Sequence, residues 1–117
     1  MLSRIQVLVI GRHAEIMETI LQRINQTPDW EAVGALSDEE AIEIFQQRRF
    51  DLVLIGGGVE PESEAKLRAI FKFQNPLIRI IQHFGSGNSN MFAEIRATLT
   101  TQEEAKTVLL EDASKDL

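Results

Sequence analysis

The sequence predicts an α/β fold: a parallel sheet of four to five strands with helices on both faces. Two observations carry this. Short aliphatic, β-branched runs alternate along the chain with segments whose apolar residues recur every three or four positions. The helical segments between them have the length of crossover connections, which place consecutive strands parallel and pack helices on both sides of the sheet.

The elements follow in order. Ile5 to Ile10 is almost wholly aliphatic and ends at Gly11, the pattern of a strand buried on both faces. From His13 to Asn25 the apolar residues Ile16, Ile20 and Ile24, with Met17 and Leu21, form one stripe of a helix. Asn25 to Asp29 supplies turn chemistry, with Pro28 unable to continue the helix. Trp30 to Leu36 is a second, weaker strand with Gly34 inside it. Ser37 followed by Glu40 is a capping box that starts a helix carrying Ala41, Ile42, Ile44 and Phe45. Phe50 to Ile55 is the third strand, closed by Gly56, Gly57 and Gly58.

A third helix runs from Glu62 to Phe73 with Leu67, Ile70 and Phe71 inward, and Asn75 and Pro76 stop it. Leu77 to Gln82 forms the fourth strand, and His83 to Asn90 a polar, glycine-rich loop. Phe92, Ile95 and Leu99 lie on one face of a last clear helix, which completes a domain over residues 1–100. In the tail, 101–117, Thr101 with Glu104 makes another capping box ahead of Ala105, Val108 and Leu109. The alternative is an edge strand over Thr107 to Leu110; the surrounding Glu, Ala and Lys favour helix.

Composition excludes several classes of function. With 44% hydrophobic and 26% charged residues in 117, the chain is an ordinary globular domain. No apolar run approaches the roughly 20 residues needed to span a bilayer. The opening run is too short for a signal peptide, so the expected location is the cytoplasm. The absence of cysteine removes disulfides, thiolate nucleophiles and cysteine-ligated metals. A net charge of −6 argues against a nucleic-acid surface. Arg48 and Arg49 read as a solvated helix end.

The segment from Ile5 to Gly56 resembles the receiver domain of two-component response regulators, particularly those with helix-turn-helix outputs. Val7-Leu8-Val9-Ile10 with His13 carries the likeness first. Trp30-Glu31-Ala32-Val33-Gly34-Ala35, Ser37-Asp38-Glu39-Glu40-Ala41 and Asp51-Leu52-Val53-Leu54 carry it onward. It continues through Asn75-Pro76, over roughly the first seventy per cent of the chain. The resemblance implies a flavodoxin-like three-layer sandwich with strand order 2-1-3-4, and a place in bacterial signal transduction.

The departures concern chemistry. Gly11 and Arg12 stand where the resemblance places the acidic residues that hold magnesium. Gly56 stands at the phosphoacceptor, and Gln82 at the hydroxyl residue ending the fourth strand. Magnesium requires oxygen ligands, and an acyl phosphate requires a carboxylate nucleophile. Receiver phosphotransfer is therefore expected to be absent, and no metal or other cofactor is expected. After the fourth strand, Asn90 to Leu99 resembles a receiver's final helix, so the C-terminal part is atypical or truncated. Either a helix and the fifth strand have been deleted, or the tail supplies a substitute; a deletion leaves the fourth strand as a bare edge. Such edges recruit another chain, which predicts a homodimer, checked by light scattering.

Ligands in open α/β sheets bind beyond the strands' carboxyl ends, where strand order reverses. Gly11, Arg12 and His13, Gly56 and Gly57, and Gln82 and His83 fall on that rim. One reading is an anion site, with glycine amides and a two-pronged Arg12 contact. The plainer reading, which we favour, is that small residues replaced an active site and Arg12 fills the vacated space. The glycine run is not a Walker or dinucleotide fingerprint. His13 and His83 with Glu15 or Glu60 make a poor metal set, and no serine sits at a nucleophile elbow. Ser86 and Ser89 read as turn and cap residues. The acidic runs at Glu39, Glu40 and Glu43 and at Glu60, Glu62 and Glu64 read as solvated faces, and Trp30 as a core edge. The expectation is a non-enzymatic module for a protein partner, the alternative a sensor of small anionic ligands at the rim.

Overall fold

A computed structural model describes residues 5–84. The order is β1 (Ile5–Ile10), α1 (Ala14–Gln26), β2 (Trp30–Ala35), α2 (Asp38–Gln47), β3 (Leu52–Gly56), α3 (Pro61–Gln74) and β4 (Arg79–Phe84). The strands form one sheet in the order β2-β1-β3-β4 with every pair parallel, as expected of a flavodoxin-like domain. The polar loop to Asn90, the helix of Phe92, Ile95 and Leu99, the tail and any fifth strand lie outside the described residues. Among the described residues no helix is long and apolar enough to cross a membrane.

Alternation along the strands sends side chains to two faces. Leu8, Ile10, Val53 and Ile55 meet α2 and α3 through Ala41, Phe45, Leu67 and Phe71, all buried. The Phe71 ring lies 4.3 Å from Phe45, whose ring lies 6.0 Å from Phe50. On the opposite face α1 packs chiefly on β2. A Cβ on Gly34 would stand 2.7 Å from Met17 Sδ and 2.9 Å from Leu21 Cδ1. Glycine in the second strand therefore has a packing reason: it lets α1 approach the sheet.

The elements differ from expectation at their ends. Helix α1 turns Met17 and Ile24 inward while Ile16 is 59% exposed, so the buried stripe starts one residue later than the isoleucine spacing suggests. Strand β3 begins at Leu52 because pairing with β1 begins there, opposite Val7. Phe50 precedes it and is buried by the aromatic cluster instead. Strand β4 begins at Arg79, two residues late. Asn75 turns the chain, accepting from the Ile78 N–H at its carbonyl (3.0 Å) and from the Leu77 N–H at its side chain (3.2 Å). Leu77 is left exposed. Arg48 is more than a solvated helix end: its guanidinium lies 5.3 Å from the centre of the Phe50 ring and also meets Gln6 and Glu31.

Helix capping follows the sequence. The Glu40 N–H donates to Ser37 Oγ at 3.2 Å, while Glu40 Oε1 accepts from the Leu36 N–H at 2.9 Å. Near the C-terminus of α1, Asn25 reaches β2: its Oδ1 accepts from the Ala32 N–H (2.7 Å) and its Nδ2 donates to the Ala32 carbonyl (3.3 Å).

Candidate functional site

The carboxyl ends of β1, β2 and β3 open onto one rim, with β1 in the middle. Gly11 leaves β1 half-buried, its N–H donating to the Ala35 carbonyl at 3.1 Å. A Cβ there would lie 3.3 Å from Met17 Cε, so the Met17 thioether fills space bounded by two glycines. His13 is the exposed N-cap of α1 and makes no side-chain cap bond. Its Nε2 lies 3.6 Å from where Gly58 would carry a Cβ, which places the ring against the loop that follows β3. That loop turns from Gly56 through Gly57, with the Val59 N–H donating to the Gly56 carbonyl at 3.2 Å. Glu60 then holds the N-cap position of α3 without a side-chain cap bond, and the first helical residue is Pro61, where a missing N–H costs nothing.

Arg12 is the centre of the rim. Its Nη2 lies 2.6 Å from Asp38 Oδ1 and 3.3 Å from Glu60 Oε2, its Nε donates to Glu60 Oε1 at 3.4 Å, and its Nη1 to the Leu36 carbonyl at 3.2 Å. Lys66 Nζ sits 3.0 Å from the other Asp38 oxygen, and the Ser63 hydroxyl donates to Glu60 at 3.2 Å. Only 12% of the Asp38 side chain is exposed. Among the described residues no three His, Asp or Glu side chains gather as a metal site.

The structure thus brings Gly11, Arg12, His13, Gly56 and Gly57 to one rim. Gln82 and His83 do not leave β4; the strand continues through them to Phe84. From Leu54 to Gly56 the register advances two residues on β3, but the partners Ile81 and Phe84 are three apart. One extra residue on β4 makes a bulge there, and Phe84, not Gln82, stands opposite Gly56. The sequence reading missed Asp38, Ser63 and Lys66, and it took Glu60 for part of a solvated face.

The charges perturb one another. Burial pushes the Asp38 carboxyl up, but the hydrogen bonds from Arg12 and Lys66 overcome this and hold it at about 2. Glu60 is lowered by its hydrogen bond from Arg12, and Arg12 is raised first by Glu60. A carboxylate lowered by folding stabilises the domain above its unfolded value and loses that contribution as pH falls through the folded one. Asp38 is therefore expected to contribute about 1–2 kcal/mol, after allowance for solvent screening, that is present above about pH 5 and lost toward pH 2. Urea titrations at several pH values check this: Asp38→Asn should flatten the acid limb, and an unchanged limb contradicts the assignment.

An open groove of about 600 Å³ runs along α1 beside Met17, Leu21 and Leu36. Ile16, Leu36, Phe73 and Leu77 are the exposed large apolar residues among those described.

Similar solved structures include response regulator receiver domains. The chain is similar to the Vibrio cholerae chemotaxis protein CheY4, with a TM-score of 0.61 at 16% identity over 68% of each chain. It is similar to a response regulator receiver domain protein from Clostridium thermocellum, with a TM-score of 0.58 at 21% identity, over 67% of this chain and 63% of that one. It thus spans less than two thirds of that protein's length. A third similar chain comes from the complex of the phosphorylated P1 domain of CheA3 with CheY6 from R. sphaeroides, with a TM-score of 0.56 at 17% identity, covering 83% and 97%. At these identities the likeness establishes the fold, a receiver-like domain. No protein-family model matches the sequence, and no curated protein matches it.

Proposed function

We propose that the chain is a receiver-type signalling module that acts by binding a protein partner and is not switched by phosphorylation. The observation that carries this is the state of the rim. Glycine at 11 and 56 has no side-chain carboxylate to hold a metal or act as nucleophile, and the guanidinium of Arg12 is engaged by Asp38 and Glu60. The CheA3–CheY6 complex is an instance of protein docking associated with this fold. Here the exposed apolar side chains Ile16 and Leu36, and Phe73 and Leu77, lend support to recognition through helical faces and their adjoining turns. A sensor of small anions is the second reading. It requires a guanidinium that a ligand can take, and an anion at Arg12 would have to displace two carboxylates.

The test is incubation with magnesium and acetyl phosphate, read by intact mass and by thermal shift. The expected result is no phosphoryl adduct and no change in Tm. A phosphoryl-aspartate overturns the proposal. A rise in Tm with phosphate that Arg12→Ala abolishes turns the assignment to the sensor. A ligand at a hundredfold its Kd adds about 2.7 kcal/mol, a readily measured shift.

A further inference from the structure

We propose that Arg12 is an ionic lock that joins three loops of the rim into one cooperative unit, so that the chain's own charges hold the rim in a single closed state. The inference rests on the preceding reading of a rim that phosphorylation does not switch, and it names the device that fixes it.

The lock follows from strand order. With β1 between β2 and β3, a side chain leaving β1 has the β2–α2 and β3–α3 loops on either side of it. Arg12 uses its fork both ways, to the Leu36 carbonyl and Asp38 on one side and to both oxygens of Glu60 on the other. Planar, fixed donors suit this geometry, and a point charge would not serve both loops equally. Two further ties close the circuit. Lys66 on α3 meets Asp38 on α2 at 3.0 Å, and the His13 ring lies against Gly58. An isolated exposed pair contributes little. Here one shielded carboxylate is shared by two cations, so breaking any arm loosens the others.

Among the backbone hydrogen bonds of the rim, these report on the lock: Gly11 to Ala35, Ala41 to Ser37, Val59 to Gly56, and Glu64 to Glu60. Residue-resolved amide exchange of the full chain, compared with Arg12→Met, tests it. The expected result is that the Gly11, Ala41, Val59 and Glu64 amides speed up together by roughly tenfold or more, while Leu8 and Val53 in the strand centres keep their rates. Acceleration at Gly11 alone, or none, overturns the lock. If Arg12→Met unfolds the domain, Asp38→Asn carries the test: the lock requires all four amides to respond, and independent pairs only Ala41. The two readings fail separately. A phosphoryl adduct on the wild type refutes the unswitched rim whatever the exchange rates, and uncoordinated exchange refutes the lock in a protein that still takes no phosphate.

Discussion

Truncation of Phe71 to alanine is expected to remove about 3–5 kcal/mol of stability, the usual cost of deleting a fully buried aromatic ring. Phe71 has no exposed surface and joins three parts of the fold. It lies on α3, meets Phe45 of α2 at 4.3 Å, and through Phe45 reaches Phe50 ahead of β3. Beyond the transfer cost, its loss leaves a cavity between elements held apart by the sheet, which restricts collapse. A domain of this size has roughly 5–15 kcal/mol in all, so the variant should unfold at much lower urea with an unchanged denaturant slope. A loss below about 1 kcal/mol would mean that the α2–α3 layer repacks freely, contrary to the close packing described here.

The second large effect is expected at Gly34. Its Cβ position is occupied on three counts: Met17 Sδ at 2.7 Å, Leu21 Cδ1 at 2.9 Å and Met17 Cγ at 3.0 Å. These are atoms of flexible side chains, and methionine adapts readily. Gly34→Ala should therefore sit at the low end of the overpacking range, and Gly34→Val should cost about 1–3 kcal/mol by pushing α1 off β2. The cause can be isolated with a double-mutant cycle. In a Met17→Ala background the valine occupies vacated space, so its penalty should shrink. Additive losses would place the strain elsewhere than at Met17.

Much of this fold is legible in the sequence because it is written locally. β1 is an unbroken aliphatic run, α2 opens on a capping box, and Asn75-Pro76 stops a helix that ends at Gln74. The two misplaced strand starts share a cause. Phe50 and Leu77 are apolar residues beside strands, and hydropathy extends each strand to include them. Pairing with β1 excludes Phe50, and the Asn75 turn excludes Leu77. The candidate site was less legible. Gly11, Arg12, His13, Gly56 and Gly57 could be placed on the rim from strand ends alone. The partners of Arg12 could not, because Asp38 and Glu60 lie 26 and 48 residues away and ion pairs at that separation leave no periodic trace. The bulge in β4 is equally silent, and it moves Gln82 and His83 off the strand end.

The Asn25 amide has a consequence for how this domain can meet other chains. A sheet margin is normally a template: its N–H and C=O groups invite a foreign strand to zip on. On β2 the Ala32 N–H and carbonyl are both satisfied by Asn25, and the Trp30 N–H donates to the Thr27 carbonyl at 3.2 Å. One side chain and one turn thus passivate the middle and the start of that margin. An incoming strand would find its first rungs already taken, which leaves β2 a poor seed for fibrillar stacking.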